Sequence, residues 1–237
     1  MMRIDKYLAD CGLGSRKTVK ALIRGGWVTV NGVVAKSDGM QIDEARDKVI
    51  FDGKELIYKR YLYLMLHKPT GMVSATYDAR DKTVIDLVPP QYRHFDLFPV
   101  GRLDIDTTGL LFLTNDGALA HRLTSPKHHA DKVYFAQVAG EVGEADVEQF
   151  SNGVRLEDGY LCKSAVLRVL QPGPVSEIEL TIREGKFHQV KRMFEAVGKS
   201  VLTLKRLSMG GVALDETLKE GELRELTQEE IDTLQQK

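Results

Sequence analysis

At the start of the chain, apolar residues recur at helical spacing and then switch to alternation. Ile4, Tyr7, Leu8 and Cys11 fall on one face of a short helix. Gly12 and Gly14 break that pattern. Ser15 can cap a second helix, in which Val19, Leu22 and Ile23 point inward. Gly25 and Gly26 stop it, and "WVTVNGVVA" alternates as a strand pair. Its Asn31-Gly32 tolerates the positive φ angles of a tight hairpin. Arg16, Lys17, Lys20 and Arg24 ride the outer part of the second helix.

Beyond residue 58 the pattern changes. In "YLYLMLHKPTGMVSA", Tyr61, Tyr63 and Met65 alternate with Leu62, Leu64 and Leu66, which predicts a strand buried on both faces. Lys68-Pro69-Thr70-Gly71 ends it with turn residues. "DKTVIDLVPPQY" predicts a short helix closed by Pro89-Pro90. Apolar segments such as "LLFLTNDG", "KVYFAQVAG", "SEIELTIREG" and "VLTLKRLSMGGVAL" follow, joined by short turns rather than long crossover helices. This organisation predicts an α+β domain with a largely antiparallel mixed sheet. The acidic tail "TQEEIDTLQQK" predicts a short surface helix opened by Thr227. The expected division is a small domain over residues 1–58 and a larger one over residues 59–237.

Composition narrows the function classes. The chain has 237 residues, 43% of them apolar, enough for a sizeable core. No apolar run approaches the length of a membrane span, and no basic-then-apolar leader opens the sequence, so the expected compartment is the cytoplasm. Two cysteines, Cys11 and Cys162, are too few for a disulfide framework or a thiolate zinc site. Net charge is −1, but its distribution is uneven: residues 1–36 and 183–206 each carry seven Lys/Arg against two acids, whereas residues 215–237 carry eight acids against three bases. Two basic zones in a neutral chain point to a polyanion contacted at two places.

Three stretches could carry chemistry. In "GRLDIDTTGLLFLTNDG", an extended backbone would put Arg102, Asp104 and Asp106 on one face. A carboxylate there could serve as nucleophile, general base, metal ligand or turn cap. The spacing also matches the aspartyl-phosphate loop of haloacid-dehalogenase-like phosphatases. Gly101 and Arg102 interrupt the apolar strand that such a loop requires, and no Gly-Asp-x-x-x-Asp follows. A calcium loop lacks its later ligands. In "TSPKHHADKVY", the adjacent His128 and His129 suit RNA contact or plain surface better than a metal, because no acid or thiol joins them at ligand spacing. Tyr134 suits either a core position or a platform for a base. In "REGKFHQVKRMFEAVG", His188, Lys191 and Arg192 lie near one helical face while Val190, Met193 and Val197 pack the other. Such a basic cluster can bind phosphate or pair with a carboxylate.

Taken together these stretches resemble a known family. Residues 2–48, with "RIDKYLA" and "SRKTVKALIRGGWVTVNG", resemble the S4-like RNA-binding domain. "GRLDIDTTGL", "KVY", "GKFHQVKRMF" and "LTLKRLSMGG", in that order, resemble the pseudouridine synthases that act on ribosomal RNA. "GRLDIDTTGL" and "TSPKHH" point to the small-subunit (16S) branch, with the large-subunit (23S) branch as the alternative. By this resemblance Asp104 is catalytic and Lys191 is its ionic partner. Tyr134 stacks on the target base and Leu204 lines the pocket. Asp106 is a turn or supporting residue. Arg16, Lys17, Lys20, Arg24, Arg102 and Arg192 are expected to contact RNA. His67 departs from the Asn expected before "KP". No cofactor and no metal are implied. The implied partner is ribosomal RNA or a small-subunit assembly intermediate, met by a monomer without a membrane. The rival from another class is a non-catalytic RNA-binding assembly factor, which predicts loss of Asp104, Tyr134 or Lys191; all three are present.

Overall fold

The computed structural model describes residues 1–125 and 130–236, which divide into two compact units. One comprises Met1–Leu62 with Pro89–Asp96, the other Tyr63–Val88 with Leu97 onward.

In the first unit, β1 (Met2–Arg3) leads into α1 (Ile4–Asp10), and α2 (Arg16–Arg24) follows. The Ser15 hydroxyl accepts the Thr18 amide and caps α2. Ile4, Tyr7, Leu8, Val19 and Ile23 meet in one core with Val28, Val30, Ile42 and Val49. Strands β2 (Val28–Val30) and β3 (Val33–Val34) form the Asn31-Gly32 hairpin, with φ of 52° and 81° at its two corners. β4 (Gln41–Ile42) pairs with β1, while β5 (Val49–Phe51) and β6 (Lys54–Glu55) complete the sheet with β2. Tyr7 closes the core, its hydroxyl donating to the Leu56 carbonyl and its ring stacked on Tyr58. The segment 89–96 also belongs here. Pro90 does not close a helix but opens a second 3₁₀ turn, Pro90–Phe95, after the first at Val84–Leu87. His94 lies against Gly12, where a Cβ would come within 2.7 Å of its ring.

The second unit is built on β7 (Tyr63–Lys68), a strand with five of six residues buried. β8 (Phe98–Pro99) and β9 (Thr108–Thr114) follow, then α3 (Gly117–Thr124), capped by the Asp116 carboxylate on two amides. β10 (Lys132–Ala139) alternates buried and half-buried positions along its whole length. α4 (Glu144–Asn152), β11 (Val166–Gln171), β12 (Val175–Ile182), α5 (Gln189–Glu195), β13 (Ser200–Met209), β14 (Val212–Ala213), β15 (Leu223–Glu225) and α6 (Gln228–Gln235) complete the unit. The sheet order is β11-β12-β10-β13-β9-β7-β15, with β14 on β13 and β8 on β9. Among the described residues every strand pairing is antiparallel except β13 with β9. There Arg206 faces Gly109, and a Cβ on Gly109 would collide with the Arg206 carbonyl. Only glycine, at φ 103°, lets the two strands approach here.

The acidic tail does more than coat the surface. Thr227 caps α6 as expected, with Glu230 returning the bond to the Thr227 amide. Leu234 is fully buried in the core shared by Met65, Phe112 and Leu123. Arg224 ties the segment down through Asp215 and both oxygens of Glu230. Leu234→Ala is therefore expected to destabilise the protein by about 2–5 kcal/mol. Thr227→Ala should cost about 1 kcal/mol. Urea unfolding of the two variants measures both.

Candidate active site

The loop between β8 and β9 carries Asp104, and a buried lysine holds that loop. Lys68, at the end of β7, is 0% exposed. Its ammonium donates to the carbonyls of Pro69 (2.9 Å), Asp104 (3.0 Å) and Thr107 (3.0 Å). Burial pushes Lys68 down to about 8, opposed by the charges of Asp106 and Asp104. Further bonds fix the loop: the Gly71 amide donates to the Ile105 carbonyl, and Ser74 Oγ both donates to and accepts from the Leu103 backbone. The Thr107 amide donates to the Asp104 carbonyl, closing a turn over residues 104–107. The stretch is thus a turn where an extended run would have aligned Arg102, Asp104 and Asp106.

The turn presents both carboxylates to the start of α5. His188 precedes that helix in the left-handed region, φ 51° and ψ 31°. Its Nε2 lies 3.6 Å from Asp104 Oδ1. Lys191 Nζ lies 3.9 Å from Asp104 Oδ2, but donates to Asp106 Oδ1 at 2.6 Å and Oδ2 at 2.7 Å. The cation expected beside Asp104 is therefore shared, and its short bonds go to Asp106. Asp104 is 27% exposed and has two basic groups near it. The hydrogen bond from Lys191 holds the Asp106 carboxyl below its usual 3.8, against the opposing effect of burial.

A cavity of about 310 Å³ opens beside Asp104. Tyr134 from β10 and Leu204 from β13 line it, and both side chains are mostly buried. Arg102 is exposed on its wall. Two buried cations that carried no assigned role also line it. Arg206 is 2% exposed; its Nε donates to the Leu110 carbonyl and its Nη2 has no partner among the described residues. Lys132 donates to the Ala130 carbonyl, and burial and then Arg206 push it down to about 8. Period-two spacing pointed to both: Lys132 precedes Tyr134 by two residues and Arg206 follows Leu204 by two, so each shares a strand face with its neighbour. Lys68 had a weaker signal, a charge ending an apolar strand.

Other expected residues are not among those that line this cavity. Arg192 pairs with Asp158 and does not line it. Arg16, Lys17 and Arg24 are exposed on α2 in the first unit, where Lys20 pairs with Asp38. His128 and His129 lie outside the described residues. Among the described residues, no three His, Cys, Asp or Glu side chains gather as a metal site.

Comparison with known proteins decides the family. Residues 62–196 match the model for RNA pseudouridylate synthase, and residues 2–47 match the S4 domain. The chain belongs to the RNA pseudouridylate synthases. It is 47% identical to an uncharacterized RNA pseudouridine synthase of Bacillus subtilis, YtzG, over 98% of both chains. Ribosomal small subunit pseudouridine synthase A from Escherichia coli and that from Vibrio cholerae are each 42% identical to it, over 97% of this chain and 98% of theirs. A crystal structure of pseudouridylate synthase matches 99% of this chain and 100% of its own, with TM-score 0.69 and 38% identity. This synthase is therefore an isomerase with an S4 RNA-binding domain ahead of its catalytic domain. Among its described residues no helix is long and apolar enough to cross a membrane.

Two outcomes follow from the geometry of this synthase. Asp106 stabilises the fold above pH 3.8, and that contribution is lost as pH falls through its lower folded-state value. Asp106→Asn should thus lose less stability than wild type in acid urea titrations, by up to about 1 kcal/mol because the pair is solvent-screened. Lys68→Met removes the donor shared by the carbonyls of Pro69, Asp104, Ile105 and Thr107, and should cost about 1–3 kcal/mol in urea unfolding at neutral pH.

Proposed function

We propose that this synthase converts one uridine of 16S ribosomal RNA to pseudouridine, with Asp104 as the catalytic residue. The observation that carries the reading is a carboxylate on a pinned turn, facing two basic groups, at the wall of the cavity lined by Tyr134 and Leu204. The small-subunit substrate is taken from the relatives named for it.

The chemistry fits the residues. Detaching uracil from C1′ of the ribose and rejoining it through carbon five conserves atoms and is redox-neutral, so it requires no energy source or cofactor. The target base has to leave its stack, at a cost of a few kcal/mol. Stacking on Tyr134 returns about 1–3 kcal/mol. Lys191 and His188 lie beside the Asp104 carboxylate, which has to give a lone pair as nucleophile or base. Arg16, Lys17, Lys20 and Arg24 on α2, with Arg102 and Arg192, would neutralise backbone phosphates and make binding salt-dependent. We take the protein as a cytoplasmic monomer that acts on an assembly intermediate in preference to free RNA.

Pseudouridine mapping tests the assignment. Wild type should add one modified site to 16S RNA or its assembly intermediate. Asp104→Asn should lower kcat by more than about 10³-fold, the scale on which an essential acid–base or nucleophilic group is felt. Modification of 23S RNA instead would overturn the substrate, and equal activity of the variant would overturn the role of Asp104.

A further inference from the structure

A second depression, of about 240 Å³, adjoins the first and shares Asp104, Arg102, Phe187 and His188 with it. Its remaining walls include Val73, Ser74 and Ile105. Two of its apolar side chains are unusually open for their size: Phe187 is 69% exposed and Ile105 is 46% exposed. Scattered exposed apolar residues are ordinary. Two of them bordering one hollow, with a carboxylate as the common wall to a second hollow, form a built feature.

Both side chains are held in place by their backbones. The Phe187 ring stacks on His188, centroids 3.7 Å apart and planes 19° apart, which makes a rigid two-ring ledge. The bend beneath the ledge is fixed by the Lys186 amide on Gln189 Oε1 and by Gln189 Nε2 on the buried carboxylate of Glu184. Glu184 is itself held by the Tyr160 hydroxyl and the Lys163 amide. Ile105 is set by its carbonyl, which accepts from Gly71. Little conformational entropy is left to lose when a ligand arrives.

We propose that this second depression is a subsite for the RNA nucleotide next to the target uridine, whose base stacks on Phe187 with Ile105 bordering its edge. The inference rests on the functional reading above. A polymer substrate that puts one nucleotide in the first cavity must place its neighbour one phosphodiester step away, and the hollow sharing Asp104 is that near. A base offers the flat apolar face that the ledge fits. Arg102, exposed and on the wall of both hollows, meets the phosphate between the two nucleotides. The Ser74 hydroxyl is committed to the Leu103 backbone and does not read base edges. Asp106 and Lys191 also line the depression but are bonded to each other, so the subsite rests on stacking and senses chiefly whether a base is present.

The test uses short RNA substrates carrying an abasic residue at the 5′ or the 3′ neighbour of the target, with wild type, Phe187→Ala and Phe187→Trp. An abasic residue at one neighbour should lower wild-type kcat/KM by about 5- to 150-fold, the range for loss of one aromatic–base stack. Phe187→Ala should lose a similar factor on intact RNA and nothing further on that abasic RNA. Phe187→Trp should keep the wild-type pattern. Multiplying penalties at both neighbours, or wild-type rates for Phe187→Ala, would overturn the subsite. Should wild type modify neither the intact short RNA nor the assembly intermediate, the functional reading fails on its own. Equilibrium binding of the same RNAs, followed by fluorescence anisotropy, then reads the same coupling or its absence.

Discussion

The loop that carries Asp104 depends on one buried ammonium. Among the described residues Lys68 has no carboxylate at bonding distance; its ligands are the carbonyls of Pro69, Asp104 and Thr107, with that of Ile105 farther at 3.5 Å. Taking a charge out of water is costly unless dipoles replace the water. The loop between β8 and β9 is therefore drawn over the end of β7, and its carbonyls turn inward. With the Asp104 carbonyl directed to Lys68, the residue's carboxylate is free to meet α5. The same turn brings Thr108 and Gly109 alongside β13, where the absence of a side chain on Gly109 admits the parallel contact. That contact seats Arg206, and Leu204 two residues earlier, in the wall of the cavity.

Charge in this region is arranged so that no partner is exclusive. Lys191 spans two carboxylates and spends its short bonds on the more exposed one. Asp104 has a cation and an imidazole near it, each at 3.6 Å or beyond. A carboxylate without a tight donor on its lone pairs among the described residues is suited to giving one of those pairs to a substrate. Deeper in, Arg206 and Lys132 lie together without a carboxylate at salt-bridge distance among the described residues. The cavity thus keeps a positive inner wall, which suits a ligand whose backbone is an anion.

The parts of this arrangement legible in the sequence are those that depend on neighbours along the chain. Ser15, the apolar face of α2 and the Asn31-Gly32 corner specify their elements locally, and the structure has them. The double-sided apolar run around Leu64 foretold a buried strand, and the short turns foretold an antiparallel sheet. The ordered motifs placed the chain in its family. Long-range pairings were not legible. Lys191 donates its tight bonds to Asp106 because a turn swings that carboxylate round, and the turn exists because Lys68, thirty-six residues earlier, binds the Asp104 carbonyl. "GRLDID" by itself favours extension. The tail looked like a surface helix because its composition is acidic, while its single buried leucine is a tertiary fact.

The 89–96 segment makes the first unit discontinuous in sequence. Its backbone leaves at Leu62, returns at Pro89 and leaves again after Asp96. The RNA-binding module is accordingly not a cassette with one seam. A recombination event, or a graft, that joined residues 1–62 to a foreign catalytic domain would leave behind the piece whose His94 lies against Gly12, and would bare that glycine's surface. Inheritance of this module with its own catalytic partner, rather than free shuffling among others, is the expected evolutionary signature of such a stitched junction.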